Sequence, residues 1–311
     1  MQHIVHLSAW GYQAEILPER GANLISLTRP ELGLRSVRTP CSLEDFSVNP
    51  FLWGVPILLP PNRISGGQFS FEGRNYHFPI NEPELGNFLH GELHETTFSC
   101  IQHNHDHAIF LFRALPEAPY MTFPHAFTIL VAFSLEIDGM HQCISITNNS
   151  ELNMPFAIGC HTTFALPFKE GGKAEDVRLF LGVSDEIVRD MDSYLPTGQV
   201  ITDSSMQQEM LRGTFYPCKH TLSRHFVMDS NREMRLIDPI YNVQLVYRAL
   251  PPYAYWMVYN GGSSDFLCVE PQTWMNNCPN APFDREKTGF SWLAPGETRN
   301  CETIISLIAL D

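Results

Sequence analysis

Two side chains of this sequence, a carboxylate and an imidazole, are of types that can carry protons, and each is set in apolar surroundings. Glu270 is delivered by the apolar run Phe266-Leu267-Cys268-Val269 to a point where Pro271 limits continuation of a ladder. A carboxylate is seldom set against a buried strand without a partner or a task. His161 follows Ile158-Gly159-Cys160 and precedes Phe164, so it leaves a strand in a partly apolar setting. A carboxylate and an imidazole can be ionised and protonated, respectively, at one near-neutral pH, which is the condition for paired general base and acid work. Taken alone, His161 reads equally well as a core histidine satisfied by the backbone.

Two further stretches set polar side chains where turns or core are otherwise expected: Pro60-Pro61-Asn62-Arg63-Ile64 and Phe88-Leu89-His90-Gly91-Glu92. Alone, Arg63 reads as a surface ion-pair partner, and His90 as a loop residue before a glycine. Trp274, Tyr259 and Phe164 have flat faces that can stack on the apolar face of a bound ring, although aromatics at strand spacing are mostly core. The run His103-Asn104-His105-Asp106-His107 resembles a metal-ligating strand but reads better as an exposed hairpin turn, because a further ligand is missing.

These groups must be positioned by strands. From 127 to 137, Phe127, Ile129, Val131, Phe133, Leu135 and Ile137 share one face, with Thr128, Ser134 and Glu136 on the other. Asp138-Gly139 then turns the chain, and Gln142, Ile144 and Ile146 continue the alternation. Hairpins are also predicted over 68–78 and 98–112, and strands over 177–183, 233–237, 243–247, 255–259, 266–269 and 303–310. The best helical candidate is short, 204–211. With 23 prolines and 20 glycines interrupting the runs, the pattern predicts an all-β sandwich or barrel, with residues 1–311 as one domain and no linker.

The composition, 44% hydrophobic and 17% charged, suits a well-packed core. With 34 acidic against 20 basic side chains, the net charge of -14 disfavours nucleic acid and anionic membrane surfaces as partners. The eight cysteines are scattered without a Cys-x-x-Cys pair and read as reduced. Met1-Gln2-His3-Ile4-Val5-His6 has no basic region leading into a long apolar run, so a cytoplasmic location is expected.

In order, Asn62-Arg63-Ile64, Leu89-His90-Gly91, His161-Thr162-Thr163-Phe164, Cys268-Val269-Glu270-Pro271 and Leu293-Ala294-Pro295-Gly296-Glu297 resemble the aldose 1-epimerase (galactose mutarotase-like) family over nearly the whole chain. The resemblance implies a large antiparallel β-sandwich with an open sugar cleft. It implies Glu270 as general base and His161 as general acid, with Arg63, His90 and Asn62 on the sugar hydroxyls and near the ring oxygen. No metal or organic cofactor is implied. The small-molecule partner is a hexose or modified hexose, and the chain is expected as a monomer or homodimer.

Two positions depart from the family pattern. Ser223-Arg224-His225-Phe226 falls where many relatives carry a sugar-binding aspartate, so Arg224, with Lys219 or His220, is a candidate for an acidic or phosphorylated sugar. Met257 falls where relatives have a cleft glutamine. The alternative to a mutarotase is a non-catalytic carbohydrate-binding or sugar-sensing protein using the same cleft, since a fold does not dictate function. The simultaneous presence of Glu270 and His161 favours the enzyme.

Overall fold

A computed structural model describes residues 3–42 and 44–310. Its largest elements follow the alternation read above. Phe127–Glu136 buries every second side chain and returns through Asp138 into Gly139–Asn148, with Glu136 opposite Gly139. This hairpin lies inside an antiparallel sheet that runs, in spatial order, through Ser99–His103, His107–Ala114, Phe127–Glu136, Gly139–Asn148, Thr298–Ala309, Val243–Ala249, Glu233–Asp238 and Arg178–Leu181.

A second antiparallel sheet holds Pro196–Thr202, Val183–Arg189, Ser223–Met228, Tyr255–Tyr259, Phe266–Gln272, Gly159–Cys160 and Ile57–Leu58, with Thr163–Ala165 also paired to Phe266–Gln272. The sheets face one another across a shared core. Tyr247 of the first lies 5.2 Å from Phe164 and 6.0 Å from Trp256 of the second, between ring centroids. The architecture is therefore the expected all-β antiparallel sandwich.

The helix predicted over 204–211 is Ser205–Arg212. Ser204 accepts from the backbone N–H of Gln207, whose side chain accepts from the backbone N–H of Ser204, so this reciprocal pair satisfies two backbone donors at the helix start. The last strand begins earlier than predicted, at Thr298, because its pairing with Gly139–Asn148 runs back to Thr147. A four-stranded sheet formed by Val5–Ala9, Tyr12–Leu17, Asn23–Arg29 and Leu34–Arg35 was not anticipated, although Val5 and Leu7 alternate with exposed His6 and Ser8 as a half-buried strand should. Among the described residues, no helix is long and apolar enough to cross a membrane.

The period of two decides which side chains reach the cleft. Met257 pairs with Glu270 and with His225, Tyr259 with Ser223, and Tyr255 with Gln272. These residues share the face of the second sheet that turns away from the inter-sheet core. The intervening Leu267, Val269, Trp256, Val258 and Phe226, all 0% exposed, occupy the core face. Loops cover much of the other face, which explains why every residue of Phe266–Gln272 is buried.

Candidate active site

Glu270 and His161 are brought together from neighbouring strands of the second sheet. Glu270 sits in the middle of a strand, whereas His161 lies between the short pieces Gly159–Cys160 and Thr163–Ala165. The His161 backbone N–H donates to the carbonyl of Pro56, fixing it beside the same sheet. His161 Nε2 stands 3.3 Å from Glu270 Oε1, and both side chains are almost wholly buried.

The remaining polar groups converge on this pair. Gln272, two residues beyond Glu270 and so on the same face, donates through Nε2 to Glu270 Oε2 at 3.1 Å. Asn62 Nδ2 in turn donates to Gln272 Oε1 at 3.2 Å. The backbone N–H of Asn62 donates to His90 Nδ1 at 3.2 Å, which requires the Nε2–H tautomer of a neutral His90. The His90 ring lies edge-on to that of His161, with centroids 5.3 Å apart. Arg63 is held by Glu82 through two 2.7 Å bonds, from Nε to Oε2 and from Nη2 to Oε1, and its guanidinium lies 4.9 Å from the Tyr194 ring centroid.

Asn62, Arg63, His90, His161 and Glu270 all line one open cleft of ≈ 460 Å³, together with Phe51, Tyr194, Ser223, Met257 and Tyr259. This is the volume scale of a small-molecule site. Its lining combines ring faces, from Phe51, Tyr194 and Tyr259, with the directional polar groups of Asn62, Arg63, His90, His161 and Glu270.

Burial sets the charge states. It pushes the Glu270 carboxyl up to about 8, against the opposing hydrogen bond from Gln272 and the charges of Arg189 and Arg63. It pushes His161 down to about 4. His90 is held well below the usual histidine value by burial, then by repulsion between its protonated form and that of His161 and by the neighbouring Arg63 and His94. Between about pH 4 and 8 the resting pair is therefore a carboxylic acid beside a neutral imidazole. It holds one labile proton, the same number as a carboxylate beside an imidazolium. Ligand atoms of His90, His161 and Glu270 also lie within 4.8 Å of one another, so these are the cleft side chains geometrically able to share an ion.

A family model described as aldose 1-epimerase matches residues 4–306. The chain belongs to the aldose 1-epimerase family. Among solved structures, this family member is similar to a galactose mutarotase-like protein from Clostridium acetobutylicum, with 29% identity, TM-score 0.91 and 99% of each chain covered. It also shares its fold with a GalM/aldose epimerase homologue from C. elegans, at 17% identity and TM-score 0.78 with 100% of each chain covered. Among curated sequences it is similar to the uncharacterized protein YphB of Escherichia coli K12, 22% identical over 254 residues, covering 79% of this chain and 81% of that one.

Within this family member, two expected cleft residues stand elsewhere. Arg224 follows cleft-lining Ser223 by one position, so it points to the other face of the sheet. There it pairs with Glu186 at 2.8 Å. Lys219 and His220 lie against Tyr216 and Phe215. Trp274 is 2% exposed and packs against Phe69 and Phe290 in the core. Phe164 is also core, whereas Tyr259 lines the cleft. The histidines of 103–107 do not converge: His103 donates to the carbonyl of His6, His107 bonds Gln102 and Asp106, and the His105 side chain is exposed.

Phe51, Tyr194, Gln272 and Arg189 were not singled out from the sequence. Gln272 was legible, since it is two residues from Glu270 on a strand. The others arrive on loops or at a strand end, and no periodicity marks them.

Proposed function

We propose that this chain is a mutarotase that interconverts the anomers of a hexose or modified hexose, with Glu270 as base and His161 as acid. The observation that supports the reading best is the 3.3 Å approach of His161 Nε2 to Glu270 Oε1 at the floor of an open cleft. A purely binding cleft has no need of two coupled proton carriers at one point.

In the working state the shared proton rests on His161 and Glu270 is a carboxylate. The carboxylate takes the proton of the C1 hydroxyl while His161 gives its proton to the ring oxygen. The C1–O5 bond breaks and its electron pair stays with O5, now a hydroxyl, while C1 becomes the aldehyde carbon. Rotation about C1–C2 presents the other face of the carbonyl, and reversal of the two transfers closes the ring as the opposite anomer. Glu270 ends protonated and His161 neutral after opening, which is the distribution that burial favours in the empty cleft. The pair thus needs no exchange with solvent between opening and closure.

The other side chains act on position. Gln272 orients the carboxylate, and Asn62 orients Gln272. His90 presents Nε2–H as a neutral donor, and Arg63, already fixed by Glu82, offers its remaining N–H groups to hydroxyls.

Anomer exchange followed by NMR on freshly dissolved glucose and galactose, in a buffer without phosphate, tests the proposal. Glu270→Gln and His161→Asn are each expected to lower the exchange rate by roughly 10²- to 10⁴-fold with the fold preserved. A wild-type rate equal to that of buffer across neutral hexoses would reject it.

A further inference from the structure

We propose that Arg189 is a buried countercharge that acts through Glu270, not on the sugar, and keeps the base ionisable. This rests on the reading of Glu270 as the base. Arg189 ends the strand Val183–Arg189 and is 8% exposed. Its Nη2 donates to the carbonyl of Ser223 and, at 2.9 Å, to Ser223 Oγ. Its guanidinium lies 5.9 Å from the centroid of the Tyr194 ring, the ring that Arg63 also approaches. Arg189 therefore stands beneath Ser223 and Tyr194, both of which line the cleft.

Its charge has no direct partner. Among the described residues, no carboxylate comes within ion-pair distance of Arg189, and Nη1 is buried without an acceptor. Glu186, on the same strand, is engaged by Arg224. Burying an unpaired guanidinium is unfavourable, so a compensating interaction is expected nearby. Burial lowers Arg189 only to about 10, so it remains a cation at neutral pH.

The electrostatic surroundings of Glu270 indicate where that interaction lies. His161 and His90 are kept neutral by burial, as is His225, which sits in the same cross-strand row as Met257 and Glu270. Burial raises Tyr247, Tyr259 and Cys268 and keeps them uncharged. The cations that act on the carboxyl are Arg189, the stronger, and Arg63. Arg63 is neutralised by Glu82 through two bonds, whereas Arg189 is not neutralised. The unpaired cation and the desolvated carboxyl meet each other's need: each becomes easier to keep charged in the presence of the other.

A carbon-13 NMR titration of the substrate-free protein, labelled at glutamate side-chain carboxyls and with Glu270 assigned from the Glu270→Gln spectrum, tests this without turnover. The wild-type midpoint is expected near 8. In Arg189→Met it should rise by about one pH unit or more, and in Arg189→Lys it should stay close to wild type. Should Arg189→Met fail to fold, Arg189→Gln, which retains a donor for Ser223, makes the same comparison. The basic limb of kcat/KM, where the pair loses its single proton, should move upward with the midpoint, which a merely structural role would not cause. An unmoved midpoint in the neutral variants, or equal shifts in the lysine and neutral variants, would overturn the countercharge. A moved midpoint in a protein that exchanges no anomers would uphold the countercharge and reject the mutarotase reading.

Discussion

Glu270 gives the protein an inverted carboxylate contribution to stability. Its folded carboxyl titrates near 8 against an ordinary 4.5, so the native state binds more protons between those values and stability falls as pH rises through them. His161, lowered from 6.5 to about 4, acts in the opposite sense: the unfolded chain binds more protons there, so stability rises with pH over that interval. The two effects offset between 4.5 and 6.5, and only the Glu270 loss remains from 6.5 to about 8. Over those ~1.5 units Glu270→Gln should gain about 2 kcal/mol relative to wild type. Chemical denaturation of both proteins at pH 6.5 and 8.5 checks this, and parallel changes in the two would refute it. At this scale the sequence was informative wherever an apolar run delivered a polar side chain, as at Glu270 and His161. Arg189 was illegible because its burial comes from Tyr194 and Ser223, which only folding brings to it.

The elements around the cleft hold unusual backbone in order to present these side chains. Asn62 and His90 have φ of 60° and 68°, and Gly91 follows at 74°. Left-handed backbone at non-glycine residues is tolerated when neighbours fix it, here through the mutual bonds between the Asn62 and His90 segments. A Cβ on Gly91 would meet the carbonyl of Leu59 at 2.1 Å and Tyr120 Oη at 2.7 Å. Gly91→Ala should therefore destabilise the protein by roughly 1–3 kcal/mol and displace His90, weakening sugar binding. Thermal unfolding and a sugar titration check both effects; unchanged melting and unchanged affinity would contradict them. Strands were legible from their alternation, as at Phe127–Glu136, but short linked pieces such as Gly159–Cys160 carry too few residues to show a period. The phase of a strand was harder to read than its existence. Ser223 and His225 face one way and Arg224 the other, so a one-residue difference separates the cleft from the far face.

Across the whole molecule, the second sheet separates the functions of its two sides. One face, with Glu270, Gln272 and Met257, serves the cleft, and the other joins the core with Trp256, Val258 and Val269. Arg224→Ala should accordingly leave anomer exchange within about twofold of wild type, while costing roughly 1–3 kcal/mol of stability because the buried Glu186 carboxylate loses its partner. A phosphate-dependent loss of binding in that variant would show that Arg224 reaches the substrate after all. Trp274 belongs to the core by contact with Phe69 and Phe290, and its place in the sequence, four residues after Glu270, gave no sign that the chain had by then turned inward.

On the proposed mechanism, Glu270 and His161 work as one unit holding one proton. Anomer exchange rates for wild type, Glu270→Gln, His161→Asn and the double variant measure this directly. If the two groups act together, each single variant loses most of the enhancement and the double variant is slower by no more than a few-fold further. Losses that multiply in the double variant, or a single variant that keeps the wild-type rate, would contradict it.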